Sequence, residues 1–226
     1  MNKNEVQSPE THIPHHTRLG DTIIGVNNAI VLAKLAGKPL RFALHPKRLA
    51  WNVKEQKLYE QRLEAALYLF DHEGHLNLVN DRIDPVKVLS THPQSCYLDN
   101  AKASVSCTTP RDIVCYHFRP RTGRVTHKDR LELTSFLSDQ SEVIDCHDYG
   151  LKHGLIPLIE VMRTCRYFVG ADSGMSHIAH AIGLEAHLIK FSCKESWLRK
   201  WHKFNQYTFY ERVEDFTKTK RSCAVQ

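Results

Sequence analysis

The residues best placed to do chemistry are Asp172, Ser173, Gly174 and His177, held in fixed order between an apolar run and a helical pattern. Tyr167 to Gly170 is short, apolar and β-prone, so it reads as a buried strand. Ala171-Asp172-Ser173-Gly174 breaks that run. Asp172 or Ser173 can cap a helix, and Gly174 lets a ligand approach the backbone. Met175, Ile178, Ala179 and Ile182 recur at helical spacing, Gly183 supplies a stop, and His187 to Phe191 reads as a second strand. In a strand–turn–helix–strand unit of this kind, the free N–H groups of the helix start face the carboxyl end of the sheet. The ligand such an end attracts is phosphate.

The flanking chain must position this turn. Residues 1 to 12 are polar and read as loose, and Ile13 to Thr17 is weakly strand-like. Ile23, Ile24, Val26, Ala29, Ile30, Ala33 and Leu35 define a helical face that ends at Gly37-Lys38-Pro39. Leu40 to Leu44 then reads as a strand. Trp51 to Phe70 is helical, Leu76 to Val79 a strand, and Val86 to Leu89 a short strand or a turn of helix. Asp71-His72-Glu73-Gly74-His75 lacks zincin spacing and reads as a polar loop. Polar residues between Asp99 and Arg111 mark a boundary, giving domains 1–105 and 106–226.

Asp112 to Phe118 reads as a strand. It leads into Arg119-Pro120-Arg121-Thr122-Gly123-Arg124, whose guanidinium forks suit phosphate oxygens; a solvated basic loop is the alternative. Asp129 to Leu137 reads as a helix, Glu142 to Asp145 as a strand and Ile156 to Cys165 as a helix. Ser196 to Phe204 is a further helix with Trp197 and Trp201 packing on the core, and Thr217 to Arg221 is a basic, mobile tail. Strand and helix thus alternate through Phe191, the pattern of a doubly wound α/β fold with parallel sheets.

A chain of 226 residues with 42% hydrophobic and 25% charged residues can bury a full core. No apolar run approaches the ~20 residues of a membrane span, and the first residues lack the apolar core of a signal peptide. Seven cysteines without C-x-x-C pairs point to reduced thiols in a cytoplasmic setting and to no metal site. The net charge of +6 suits a nucleotide diphosphate or a polyanion. No G-x-G-x-x-G follows a strand, which disfavours a dehydrogenase.

D-S-G-M-S-H-I-A-H-A-I-G, residues 172–183, resembles the signature of heptosyltransferase-like glycosyltransferases (glycosyltransferase family 9). Asp172, Ser173, Gly174, His177, Ile178, Ala179, Ala181 and Gly183 carry the match. Arg18-Leu19-Gly20-Asp21-Thr22-Ile23 resembles the amino-terminal G-D loop of the same family. The arginine loop departs from the family's N-P-G-A-like sequence.

The resemblance implies a GT-B-like fold of two Rossmann-like halves, with the amino-terminal half trimmed. It implies inverting transfer of a sugar from a nucleotide-diphosphate donor to an acceptor hydroxyl, without a cofactor. Asp21 is the implied base, since such a reaction needs a carboxylate to take the acceptor proton; the alternative is that Asp21 caps a helix starting at Thr22. Arg18, Gly20 and Thr22 complete an acceptor-side loop. Ser173, Gly174 and Met175 would hold the diphosphate, with Asp172 and His177 shaping the pocket. Arg119, Arg121 and Arg124 would offset the charge of the departing diphosphate. The implied acceptor is a glycan of lipopolysaccharide type; the basic balance also admits a modified nucleic-acid base. A catalytically silent nucleotide- or sugar-binding module is the third reading, and the trimmed half admits a homo-oligomer.

Overall fold

The computed structural model describes residues 10–12, 18–46, 53–83, 95–102, 112–118, 125–139, 141–189 and 207–223. The expected features at Ile13–Thr17, Val86–Leu89, Arg119–Arg124 and Ser196–Phe204 lie outside them. The chain divides into two compact units, Met1–Lys102 and Ala103–Gln226, against an expected break after residue 105. Both are α/β with wholly parallel sheets.

The first unit orders three strands as β1 (Glu10–His12), β2 (Leu40–Pro46) and β3 (Leu76–Ile83). Residues 10–12, expected to be loose, therefore form an edge strand. Helices α1 (Leu19–Ala36) and α2 (Val53–Leu69) are the crossovers and pack on each other. Strand order follows chain order, so both crossovers run the same way and cover one face. Gly37 ends α1 in the left-handed region at φ 63°.

Helix α1 is long and apolar enough by composition to cross a membrane, but 67% of that window is buried within the fold. Ile23, Val26, Ala29 and Ile30 are sealed in the core, while Leu35, expected on the buried face, is exposed. Residues 95–102 close over α1. The Asn100 amide donates to Asn27 Oδ1 at 2.8 Å, and Lys34 Nζ donates to the Asp99 carbonyl at 3.2 Å. Tyr97 packs edge-on against Phe70. Burying polar groups is costly unless they are paired, and this network pairs them.

The second unit contains β4 (Ile113–His117), α3 (His127–Ser138), β5 (Glu142–Asp145), α4 (Cys146–His153), α5 (Leu155–Arg163), β6 (Tyr167–Gly170), α6 (Gly174–Ala181), β7 (Ala186–Ile189), β8 (Thr208–Tyr210) and α7 (Val213–Cys223). Its sheet runs β5-β4-β6-β7-β8. The chain starts in β4, steps outward to β5, crosses back over β4 to β6, and continues to β8. This is the doubly wound order in which the winding direction reverses between the first and third strands of the unit.

Helices α3 and α7 pack on each other over one face of this sheet, while α4 and α6 contact its strands. On the α3/α7 side, Val114, Tyr116, Phe118, Tyr167, Val169, Ile189 and Phe216 form one buried cluster. Residues 217–221, expected as a mobile tail, belong to α7. They are anchored because Phe216 packs against Phe136, Tyr167, His187 and Tyr210.

Candidate functional site at the sheet crossover

The strand order reverses between β4 and β6, and the carboxyl ends of strands at such a reversal are where ligands bind in open α/β sheets. Two side chains meet there. His117 ends β4, and its Nδ1 lies 3.1 Å from the Ser173 Oγ in the turn after β6. Gly170 permits the approach. It pairs with His117 in the β4–β6 ladder, and a Cβ at this position would fall 2.3 Å from the His117 carbonyl oxygen. The same carbonyl accepts the Ala171 N–H at 3.1 Å, which fixes the turn against β4.

Ser173 is the N-cap of α6. Its Oγ accepts the Met175 N–H at 3.3 Å, and its own N–H donates to Ser176 Oγ at 3.3 Å. The Ser176 N–H donates to the Ser173 carbonyl at 3.1 Å. Capping therefore engages the amides of Ser173, Met175 and Ser176 and leaves Gly174 N–H as the amide of this turn that the cap does not use. The expectation of several free N–H groups narrows to one amide plus the Ser173 and His117 side chains. Ser173 has an extended backbone, φ −162° and ψ 171°, so this is not the strained turn of a hydrolase nucleophile elbow.

The remaining expected donor residues separate. Asp172 is exposed, whereas Ser173, Gly174 and Met175 are half-buried and reachable. His177 is only 6% exposed and sits on the inner side of α6. Burial, helped by nearby His180, pushes its imidazole down to about 3, so it is a neutral core residue at neutral pH. Arg119, Arg121 and Arg124 lie outside the described residues.

On the first unit, Arg18 to Thr22 is not a loop but the start of α1. Arg18 is the exposed N-cap, and Gly20 and Thr22 are buried. Asp21 is the third helical residue, and its Oδ2 accepts the Arg18 N–H at 3.3 Å. Of the expected acceptor-side set, only Arg18 and the half-buried Asp21 can face a ligand.

Sequence reasoning missed His117 and Asp145. Asp145 ends β5 and caps α4: its Oδ1 accepts the N–H groups of His147 and Asp148, at 2.8 and 3.3 Å. Its Oδ2 accepts the Tyr116 hydroxyl at 2.9 Å and faces Arg130 at 3.4 Å. With both oxygens engaged it ties β4, β5, α3 and α4 together. Burial and the adjacent carboxylate hold the Tyr116 phenol above its usual range. An Asp at the end of a strand, directly before a helix, was the available signal. Nothing local in the sequence marks His117, whose partner lies 56 positions away.

A cavity of about 300 Å³ opens beside edge strand β5, lined among others by Ile144, Asp148, Tyr149 and Lys152. It lies one strand away from the crossover. Among the described residues, no group of three or more His, Cys, Asp or Glu side chains is arranged to hold a metal.

Two buried imidazoles tie stability to pH. Besides His177, burial lowers His187 to about 4; Lys220 acts in the same direction and Glu185 opposes it. The Nε2 of His187 lies 2.6 Å from Glu185 Oε1, but outside hydrogen-bond geometry. Between pH 6.5 and these lowered values the unfolded chain binds protons that the folded chain does not, so stability rises with pH in that window and falls on acidification. At about pH 5 each group is expected to cost about 2 kcal/mol relative to neutral pH. The measurement is the urea midpoint at the two pH values, and an unchanged midpoint would refute the assignment.

Comparison of the chain with family models, with curated proteins and with solved structures finds no match. What fold and site define is thus a class: a chain of two parallel α/β, Rossmann-like units, the second with a His117–Ser173 contact at its crossover.

Proposed function

We propose that the chain is a metal-independent glycosyltransferase that moves a sugar from a nucleotide-diphosphate donor to an acceptor hydroxyl with inversion, its two units being the halves of a GT-B architecture. The observation that carries this reading is the meeting of His117 and Ser173, 3.1 Å apart, where the strand order reverses. The donor diphosphate rests on Gly174 N–H and on the Ser173 and His117 side chains. The arginine loop, which begins two residues beyond His117, offsets the charge of the leaving diphosphate.

In the reaction the acceptor oxygen bonds to the anomeric carbon as the bond from that carbon to the diphosphate oxygen breaks. The acceptor proton goes to Asp21, and the electron pair leaves with the diphosphate. The acceptor class is a glycan. A thermal-shift panel of nucleoside diphosphates and their sugars tests donor binding, since a ligand selective for the folded state raises the melting temperature. A transfer assay with the stabilising donor follows. Asp21→Asn is expected to lower turnover about a hundredfold with melting nearly unchanged; full turnover removes the base assignment.

A second reading, a catalytically silent nucleotide-sugar binder, is favoured by one observation: the Asp21 carboxylate is engaged in capping α1. Tight donor binding without transfer or hydrolysis would decide for it.

A further inference from the structure

We propose that Cys115 and Cys165 are a buried dithiol that a peroxide closes to a disulfide, a reversible modification site that straps β4 to the entry of β6. The inference goes beyond the reading of the crossover and does not depend on it.

Pleat and packing bring the sulfurs together. Val114 and Tyr116 belong to the cluster under α3 and α7, so Cys115, between them in β4, points to the opposite face of the sheet. There its thiol meets two others, from Cys146 at the start of α4 and from Cys165 in the bend that joins α5 to β6. Cys115 and Cys146 are 0% exposed and Cys165 is 3% exposed. Cys115 Sγ donates to the Tyr167 carbonyl at 3.6 Å, and Cys165 Sγ to the Val161 carbonyl at 3.4 Å. A lone free cysteine in a core is ordinarily a small apolar filler. Thiols that converge from separate segments are, in addition, one two-electron oxidation away from a cross-link.

Of the two neighbours, Cys165 is the partner for Cys115. A disulfide demands a narrow geometry, so one partner must be able to adjust. Cys146 is held in the first turn of α4, whose cap, Asp145, has both oxygens engaged. Cys165 lies in the bend between α5 and β6, flanked by half-buried Thr164 and exposed Arg166. A small oxidant therefore meets it just below the surface. The acidity of the two thiols agrees with this order. Contact with Cys115 draws the Cys165 thiol below its usual range, against the opposing effects of burial and Glu142. Burial, reinforced by the two neighbouring thiols, holds Cys115 well above that range. The thiolate is the nucleophile, so Cys165 attacks first. Its sulfur bonds to one peroxide oxygen as the O–O bond breaks, giving a sulfenic acid and a hydroxide that is protonated to water. The Cys115 sulfur then bonds to the Cys165 sulfur as the S–O bond breaks, and the Cys115 proton leaves with the hydroxyl as water. Two thiols are thereby oxidised to one disulfide, and hydrogen peroxide is reduced to two waters. A dithiol reductant reverses the step by exchange.

The test is treatment of the reduced full chain with hydrogen peroxide at neutral pH, followed by alkylation of the remaining thiols and peptide mapping without reduction. Other cysteines can also oxidise, so the readout is the linked peptide. Folded wild type is expected to lose the Cys115 and Cys165 thiols to a link between the two, and dithiothreitol to restore both. Cys146→Ser is expected to keep that link, and Cys165→Ser to leave Cys115 unlinked. Wild type unfolded in urea is expected to lose the preference for this pair, because the fold is what brings the sulfurs together. The wild-type map is decisive even where a variant fails to fold. A link from Cys115 to Cys146, oxidation of Cys165 that stops at the sulfenic or sulfinic acid, or both thiols intact after other cysteines have reacted would each overturn the inference. So would the same pairing in urea. None of these outcomes bears on donor binding at the crossover.

Discussion

Replacing Gly170 by alanine is expected to destabilise the second unit by about 3 kcal/mol, the upper range for forcing one methyl group into a packed interior. The added Cβ would meet the His117 carbonyl oxygen at 2.3 Å, its carbon at 3.0 Å and Phe168 Cζ at 3.0 Å. Two of these three neighbours are backbone in the adjoining strand. They can yield only by parting β4 from β6, which breaks the ladder between His117 and Gly170 and the Ala171 to His117 bond with it. The same parting carries His117 away from Ser173. Loss of stability and loss of pyrophosphate affinity should therefore appear together.

Gly150→Ala supplies the contrast. That glycine lies inside α4, and the nearest neighbour of a new Cβ is the flexible end of Leu158 at 3.3 Å. Helix propensity favours alanine by up to about 1 kcal/mol, so this variant should stay within about 1 kcal/mol of wild type. Denaturant titration of both variants checks the pair. A Gly170→Ala protein as stable as Gly150→Ala would mean that β4 and β6 are not in this register.

Ser173→Asp is expected to keep the fold and abolish anion binding. Aspartate caps helices as well as serine does, so melting should hold within about 0.5 kcal/mol. Its carboxylate, however, sits where a phosphate must rest. Two like charges about 4 Å apart cost about 4 kcal/mol at the effective dielectric of a protein surface, close to a thousandfold in affinity. Ser173→Ala removes one hydrogen bond and should cost about tenfold. The measurement is pyrophosphate affinity beside a melting curve for each variant. If Ser173→Asp binds like wild type, the anion site is elsewhere.

Much of the local structure was legible. Tyr167–Gly170, a cap at Asp172 or Ser173 and the strand Glu142–Asp145 follow from short apolar runs bounded by capping residues; both strands stand as expected, and of the two candidates Ser173 is the cap. The elements that escaped are those with little periodic apolar signal. Helix α4 is polar, and its Leu151 is 75% exposed, so only the capping Asp145 announces it. Helix α7 hides its buried Val213, Phe216 and Thr217 among basic and acidic residues. Strand β8 is three residues long, below the length at which alternation can be read.

By itself the sequence determined the chemistry available and the local units that display it: a serine-capped helix after a buried strand, a carboxylate at the start of a long apolar helix, and parallel α/β winding throughout. These are properties of neighbouring residues, set by spacing and capping. Only the tertiary structure decided which of the singled-out side chains reach a ligand. It buried His177, turned the Gly20–Thr22 segment into helix, spent three of the four amides around Ser173 on the cap, and brought in His117 from another strand. That last step depends on strand order and on the missing side chain at Gly170. Both are fixed by how distant segments pack, which no local pattern encodes.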